Sequence, residues 1–351
     1  MSDGTKIEWT DATVNAVNGC SVISPGCKLC YAMKQAHRFD ARRGLTRMTA
    51  GGMVWTGEVR FNEKQLLQPL AWKRARRIFW NAHGDLFHES VPDAWIDKVF
   101  AVCALTPQHS HQILTKRSAR MRAYMADPAL AGRLFGISAG MGPAKDSGTR
   151  WAAAATRLAQ EWPLANVWLG VSVEDQQRAD ERIPDLLATP AAVRFISAEP
   201  LLGPIDLEIA WKGESALEGE CWGDCAWCAN GHPPMHNCAA GRQSEADWAK
   251  GRSGLDWVIV GGESGPGARP MDGSWARSLR DQCAAAGVPM LFKQHGEWID
   301  ARDLRNLPGG DGPGFGAFDH CKFDRDTETI RVGKKTAGRL LDGVQHDGMP
   351  L

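Results

Sequence analysis

Short apolar runs alternate with helical patterns along most of the chain after residue 60. Each run is continuous and rich in Val, Ile, Leu and aromatic residues, which is typical of strands that helices bury on both faces. The runs predict strands within residues 76–87, 111–116, 166–175, 192–202, 255–265 and 288–298. Helices are predicted between them at 92–106, 149–162, 175–189 and 272–287. This alternation indicates an α/β fold with a parallel sheet, built as a partial or full TIM-type (β/α) barrel.

Three parts of the chain lie outside this alternation of predicted strands and helices. The run TVNAVN, before Cys20, is a further strand candidate of the same barrel. Residues 211–254 are rich in Gly, Trp and Cys, and a loop of that length inside a domain needs its own stabilisation. We therefore predict a barrel domain over 1–303, a Cys-rich insertion at 211–254 within it, and an irregular C-terminal extension over 304–351.

The composition is that of an ordinary soluble globular protein. The 351 residues are 43% hydrophobic and 23% charged, and the net charge is zero. No apolar run approaches the ~20 residues of a membrane helix, and the polar start MSDGTKIEWTD is not a secretory signal. We expect a cytoplasmic protein without a membrane partner, in which clustered cysteines are metal ligands rather than disulfides.

Polar residues follow every predicted strand. In parallel barrels the active site lies at the C-terminal ends of the strands, so we expect these side chains to line one polar pocket. The set is Asn81, His83, Asp85, His88, Thr115, Lys116, Ser172, Glu174, Ser197, Glu199, Gly261, Gly262, Glu263, Lys293, Gln294 and His295.

A first cysteine cluster precedes the alternating region. Cys20, Cys27 and Cys30 have the spacing C-x6-C-x2-C, which leaves a structural zinc site one ligand short. His37 is the nearest fourth ligand for zinc. The other interpretation is a 4Fe–4S cluster on three thiolates, with one iron open to a further molecule.

A second cysteine cluster lies in the predicted insertion. Cys221, Cys225 and Cys228 have the spacing C-x3-C-x2-C, and Cys238 follows closely. Four cysteines in so short a segment fit a closed zinc site that would stabilise a loop lacking its own core. His232 and His236 are alternative ligands, and an auxiliary iron–sulfur cluster is the alternative metal group.

Several long segments carry a resemblance to a known family. They are TKIEWTDATVNAVNGCSVISPGCKLCYA, NAHGDLFHESVP, LGVSVED, FISAEPLLGPI, DWVIVGGESGPGARPM and LFKQHGEW. The chain resembles a phage-associated family of uncharacterised proteins related to the radical S-adenosylmethionine (SAM) enzymes. The resemblance implies a partial TIM-type barrel with a 4Fe–4S cluster on Cys20, Cys27 and Cys30. SAM would bind the open iron and be cleaved to a 5′-deoxyadenosyl radical, in a bacterial or phage-infected cell.

The resemblance and the strand-end positions together suggest roles for single residues. SAM contacts are expected from Asn81, Asp85, Ser172, Glu174, Glu199, Gly262 and Glu263. Lys116, Lys293 and Gln294 are the catalytic candidates. Expected partners are SAM, an electron donor such as flavodoxin or ferredoxin, and a DNA or nucleotide substrate, since an Arg-rich stretch at 38–47 follows the cluster. The six-residue first gap departs from the C-x3-C-x2-C of most radical SAM enzymes.

Two other functions account for the same residues. The first is a TIM-barrel hydrolase in which Asp85, Glu174, Glu199 and Glu263 hold a divalent ion and both cysteine clusters bind structural zinc. The second is a nucleic-acid-binding protein without catalysis, stabilised by two zinc sites.

Overall fold

The strands and helices of the protein are known for most of the chain. The structure is a computed structural model that describes residues 4–5, 7–38, 42–141, 152–154, 156–158, 162–208, 215–217, 254–304 and 318–350. The strands are β1 (Ala12–Val14), β2 (Val17–Asn18), β3 (Thr46–Thr49), β4 (Gly52–Trp55), β5 (Arg60–Phe61), β6 (Arg77–Trp80), β7 (Ser110–Thr115), β8 (Val167–Ser172), β9 (Val193–Ala198), β10 (Trp257–Gly261), β11 (Met290–Gln294), β12 (Trp298–Asp300), β13 (His320–Lys322), β14 (Glu328–Arg331), β15 (Leu340–Leu341) and β16 (Val344–Gln345). The α-helices are α1 (Tyr31–Arg38), α2 (Glu63–Leu66), α3 (Gln68–Ala71), α4 (Asp93–Leu105), α5 (Ser118–Met125), α6 (Leu130–Gly140), α7 (Gln176–Leu187), α8 (Gly273–Ala285), α9 (Ala301–Leu304) and α10 (Lys334–Ala337).

A seven-stranded parallel sheet in the order β1-β6-β7-β8-β9-β10-β11 curls into a half-barrel. Every residue of β8, β9 and β10 is buried, which is why these strands are continuous apolar runs in the sequence. All six predicted strands are present, and the TVNAVN run supplies β1 as the edge strand beside β6. The predicted α/β class and parallel sheet are therefore confirmed.

Three of the predicted helices are present with their expected boundaries. Pro92 precedes α4 as its N-cap residue. Asp272 caps α8, because its side chain accepts a hydrogen bond from the Ser274 amide at 2.8 Å. Gly287, with a φ of +65°, follows the end of that helix. Within the described ranges, no helix has the length and apolar character needed to cross a membrane.

The chain divides into two compact units. Unit 1 holds the described residues of Met1–Val171 and Asp185–Arg194, and unit 2 holds those of Ser172–Pro184, Phe195–Ala240 and Arg252–Leu351. The predicted organisation, a barrel domain over 1–303 with an insertion at 211–254 and an extension over 304–351, stays a prediction.

The two ends of the predicted insertion meet in unit 2. The Leu255 amide donates to the Ala216 carbonyl oxygen at 2.9 Å, and the Ala216 amide donates to that of Leu207, also at 2.9 Å. Gly254 packs so closely here that a Cβ atom would lie 2.6 Å from the Leu217 carbonyl oxygen. Residues 215–217 and 254–255, which border the part of the insertion outside the described ranges, therefore lie together.

The C-terminal extension, expected to be irregular, forms regular structure where it is described. Strands β12, β14 and β13 make an antiparallel sheet, whose small core contains Ile299 and Ile330. Further on, the Phe292 amide donates to the His346 carbonyl oxygen at 2.9 Å, so the tail pairs along β11. These strands are too short for a periodic signal in the sequence, and their stability comes from distant partners.

Candidate functional site

The cysteine loop, residues 20–30, starts from a tightly held glycine in unit 1. Gly19 has a φ of +100°, and a Cβ atom there would lie 2.1 Å from the Glu58 carbonyl oxygen. Its amide donates to the His83 carbonyl oxygen at 3.0 Å. Only glycine tolerates both this conformation and this crowding, so the start of the loop has a fixed position.

The rest of the cysteine loop folds back before helix α1 begins at Tyr31. Pro25–Cys27 form a 3-10 turn, and Ser24 Oγ lies 3.7 Å from Cys27 Sγ. The Cys30 amide donates to the Cys27 carbonyl oxygen at 3.3 Å. Consecutive turns therefore bring the second and third cysteines of the loop together.

The thiols of Cys20, Cys27 and Cys30 are free and affect one another electrostatically. Burial, aided by the charges of Asp85 and of the other two thiols and opposed by that of Arg117, raises the pKa of Cys20 to about 12. Burial also raises the pKa of Cys30, with a contribution from Cys27. The three sulfur atoms of one loop thus lie within electrostatic range of each other.

Arg117, just after β7, is the cation of this site. Its guanidinium donates to Cys20 Sγ at 3.3 Å, to Ser21 Oγ at 2.7 Å and to Asp85 Oδ2 at 3.2 Å. It also pairs with Glu89 at 3.2 Å. Burial opposes the charge, but Asp85 and Cys20 outweigh burial and raise the pKa of Arg117. The cysteine loop is thereby tied to the end of β7 through a permanent positive charge.

Asp85 is fully engaged by protein donors. Its carboxylate accepts hydrogen bonds from Thr115 Oγ1 at 2.7 Å and from the amides of Phe87 at 2.9 Å and Lys116 at 3.1 Å, besides that of Arg117. Asp85 was predicted as a SAM contact. Its observed partners make it the residue that joins the loop after β6 to the end of β7.

Two neutral histidines flank the cysteine loop. His88 Nδ1 accepts from the Ser90 amide at 3.1 Å, so its Nε2 carries the proton and donates to Ser21 Oγ at 3.0 Å. His83 Nε2 lies 2.6 Å from Gln35 Oε1, an acceptor, and therefore donates to it. Burial, together with the charge of Arg42, lowers the pKa of His83 to about 4. Burial lowers the pKa of His88 in the same direction.

Asn81 lies at the end of β6 in a strained conformation. Its φ is 59°, in the left-handed region that is uncommon for residues other than glycine and that asparagine adopts more readily than most. Its Oδ1 accepts from the Val17 amide at 2.8 Å. Its Nδ2 is buried and has no hydrogen-bond partner within the described chain. Asn81 therefore offers a donor that the fold around it leaves unused.

In unit 2, each of the three predicted glutamates has its own cation. Glu174 pairs with Arg182 at 3.0 Å, and the two side chains are 0% and 5% exposed. Glu263 accepts from both the amide and Nε of Arg269 at 2.9 Å. Buried pairs of this kind hold their carboxylates in place, and breaking one is costly. Glu174 and Glu263 are thus each held in an ion pair with an arginine of the same unit.

Glu199 has a more open environment than the other two glutamates. Lys293 Nζ lies 2.8 Å and 3.1 Å from its two carboxylate oxygens, and Gln294 Nε2 donates to Oε1 at 3.2 Å. The side chains of Glu199 and Lys293 are 19% and 16% exposed. Gln294 Oε1 is buried without a partner within the described chain. These three predicted residues meet at the ends of β9 and β11, next to Gly261.

Two further predicted residues are occupied by protein contacts. A Cβ atom on Gly262 would lie 1.9 Å from the His295 carbonyl oxygen, so the backbone that approaches this glycine belongs to the protein. The Ser172 carbonyl oxygen accepts from Arg182 at 2.6 Å, and the Ser172 side chain is buried. Both residues were expected to contact SAM, and in the structure protein atoms contact the backbone of each.

The described residues include Cys20, Cys27, Cys30 and His37. Among them, no group of three or more His, Cys, Asp and Glu side chains is arranged to hold a metal ion. His37, the proposed fourth zinc ligand, is exposed near the end of α1. The second cluster, Cys221, Cys225, Cys228 and Cys238, lies outside the described residues together with His232 and His236.

The structure groups the predicted site residues into two sets. In unit 1, Asp85 and Lys116 lie with the three cysteines, since Lys116 acts electrostatically on Cys30. In unit 2, Glu199, Lys293 and Gln294 lie together. The sequence prediction missed Arg117 and Ser21. The signal for Arg117 was its place two residues after Thr115, at the end of a predicted strand.

Fold and site together define a mixed α/β protein whose cysteine loop lies against the end of a parallel strand. Residues 4–350 match the model of the family described as "Protein of unknown function (DUF5131)". The chain belongs to that family. No curated protein and no solved structure matches it.

Proposed function

We propose that the protein is a cytoplasmic radical SAM enzyme on a partial TIM-type barrel. The observation that carries this proposal is the cysteine loop, whose three free thiols follow the first strands of the fold, with Cys20 and Cys30 packed against one small core. The predicted substrate is a nucleic acid or nucleotide. The electron donor would be a small redox protein such as flavodoxin or ferredoxin.

In residue type the three thiols are those that a three-thiolate 4Fe–4S cluster requires, although in this structure they do not form a metal-binding group. The thiols come from one loop and none is bridged. The Arg117 guanidinium contacts Cys20 Sγ, and its charge favours the thiolate that a metal requires, which partly offsets the burial that raises the pKa of this thiol. When bound, such a cluster supplies the electron that cleaves SAM to methionine and a 5′-deoxyadenosyl radical.

The chain's own residues would position and shield this chemistry. Arg117 and Asp85 hold the cysteine loop against the end of β7. Asn81 Nδ2 remains available to donate to a ligand oxygen. In unit 2, Gln294 Oε1 and the half-buried Glu199 carboxylate are acceptors for an ammonium or hydroxyl group.

The hydrolase alternative needs carboxylates free to bind a divalent ion. Asp85, Glu174, Glu199 and Glu263 each have an arginine or lysine partner at 3.2 Å or less. A metal ion would have to displace all four cations, which disfavours this function. The remaining alternative is a zinc-stabilised nucleic-acid-binding protein without catalysis, and an experiment must distinguish it from a radical SAM enzyme.

Iron content and SAM cleavage test the proposal directly. The protein is purified without oxygen, iron and sulfide are counted, and SAM is added with dithionite while 5′-deoxyadenosine is measured by chromatography. We expect about four iron atoms per chain, as a 4Fe–4S cluster requires, and formation of 5′-deoxyadenosine. A colourless protein that holds only zinc would refute the proposal.

Matched cysteine variants assign the cluster to the loop. Cys27→Ser removes a proposed ligand and should abolish both iron binding and SAM cleavage. Cys321→Ser makes the same chemical change on β13, in unit 2, and should leave both intact. Equal iron content in the two variants would contradict the assignment.

A further inference from the structure

Exposed apolar side chains concentrate around the cysteine loop. Within the described chain, seven large hydrophobic residues are notably exposed, and four of them lie between residues 22 and 48. They are Val22 (47%), Ile23 (42%), Tyr31 (51%) and Met48 (65%). Exposed apolar side chains that occur close together often mark a surface that contacts another molecule.

The segments that carry these side chains form one module. Ala32, Met33 and Ala36 of α1 pack with Leu45 and Trp55, at the two ends of the β3–β4 hairpin. Cys20, Cys30 and Met53 pack against the same small core. The cysteine loop, α1 and the hairpin are therefore held together, and we call them the loop module (residues 20–60).

The loop module is strongly basic in a neutral protein. It contains seven Lys and Arg residues and two acidic residues, whereas the whole chain has 41 of each class. One of the acids, Glu58, is paired with Arg60 at 2.8 Å. Lys28, Arg38 and Arg47 are exposed. Such a local excess is the electrostatic footprint expected for a polyanion.

Tyr31 presents a fixed aromatic ring beside the last cysteine. Its hydroxyl donates to the Ala82 carbonyl oxygen at 3.0 Å, and its ring meets His83 edge-on at 6.5 Å between centroids. The side chain is nevertheless about half exposed. An aromatic ring that is held at its hydroxyl end and half exposed to solvent can serve as a stacking surface for an unpaired base.

We propose that the loop module binds single-stranded nucleic acid. The phosphates contact Lys28, Arg38 and Arg47, and a base stacks on Tyr31 next to Cys30. Bases can reach an exposed ring and the apolar Met48 only when they are unstacked, which favours a single strand over a duplex. The inference rests on the proposed function only for the fate of the bound strand, since binding itself needs no cluster.

The affinity for single-stranded DNA is measured by fluorescence anisotropy with a labelled strand of about 12 nucleotides, at several salt concentrations. Arg47→Gln should weaken binding and reduce the slope of log K against log salt by about 1, because one phosphate contact is lost. Tyr31→Ala should weaken binding about tenfold with an unchanged slope, because stacking is not ionic. Tyr31→Phe keeps the ring and should bind within about threefold of the unmodified protein.

Arg325→Gln, an exposed arginine of unit 2, is the matched control and should bind like the unmodified protein. Loss of affinity in this control equal to that of Arg47→Gln would overturn the proposal, as would equal or tighter binding of a duplex of the same sequence. Iron content measured on the same samples separates the two proposals. Strand binding without iron would sink the radical SAM function alone, and iron without strand binding would sink this inference alone.

Discussion

Arg117 Nη1 lies 3.3 Å from Cys20 Sγ and 3.2 Å from Asp85 Oδ2, so one buried arginine joins a proposed cluster ligand to a buried carboxylate that accepts three further hydrogen bonds. The side chains of Arg117 and Asp85 are 5% and 7% exposed. At this depth water could not solvate the Asp85 carboxylate if the Arg117 guanidinium were removed. The position of the cysteine loop therefore depends on this pair.

Removing the charge of Arg117 should destabilise the protein. Arg117→Gln leaves the Asp85 carboxylate buried without its ion-pair partner, and we expect the free energy of unfolding to fall by about 3–5 kcal/mol. Urea unfolding followed by circular dichroism measures this. Arg122→Gln, whose side chain is 55% exposed and pairs with Asp185, should cost at most about 1 kcal/mol. Similar losses in the two variants would contradict the central role of Arg117.

The glutamates of unit 2 should separate into structural and functional residues. Glu174→Gln breaks a pair that is almost fully buried, and the unfolding free energy should fall by about 3–5 kcal/mol. Glu199→Gln affects a partly exposed pair, so about 1–2 kcal/mol is expected.

Ligand binding provides the second half of that comparison. Titration calorimetry with SAM should show weaker binding for Glu199→Gln, because an acceptor beside Gln294 is lost. The Glu174→Gln variant, where it folds, should bind SAM as the unmodified protein does. The reverse pattern would show that Glu174, and not Glu199, contacts SAM.

Acid should destabilise the protein through His111. This side chain is fully buried, and burial, aided by His109, lowers its pKa to about 3. Trp80 Nε1 donates to its Nδ1 at 3.0 Å, so Nε2 carries the proton toward Thr106. The unfolded chain takes up a proton near pH 6.5 and the folded chain only near 3, so this stabilisation is lost as the pH falls below 6.5. Between pH 7.5 and pH 5 we expect a loss of about 2 kcal/mol.

Urea unfolding at the two pH values checks this prediction. His111→Gln has no imidazole to titrate and should show a pH dependence smaller by about that amount. His37→Gln, which changes an exposed histidine, should retain the full dependence. An unchanged pH dependence in His111→Gln would show that other groups cause the acid sensitivity.

The second cysteine cluster should be needed for folding rather than for chemistry. We predict that Cys225→Ala loses one zinc ion per chain and lowers the unfolding temperature or the soluble yield, because zinc binding contributes directly to folding. Zinc analysis and a thermal scan measure both effects. If this variant folded normally and alone lost SAM cleavage, the roles of the two clusters would be exchanged.

The main strands were predictable because their signal is local. Continuous apolar runs mark strands that are buried on both faces, and β8, β9 and β10 are buried throughout. The strands of the C-terminal extension gave no such signal. Strand β14 is four residues long and is stabilised by pairing with β12, which lies before the extension and about thirty residues away in the chain.

The sequence by itself determined the residue types of the site: three cysteines in one loop, and a polar residue after each main strand. Only the tertiary structure decided how these residues are used. Arg117 contacts Cys20, which is 97 residues away in the sequence, and Glu199 contacts Lys293, which is 94 residues away. The partner of Glu174, Arg182, is only eight residues away. A glutamate at a strand end looks the same in each case. What distinguishes a buried ion pair from an accessible one is its burial and its partner, and both are properties of the folded chain.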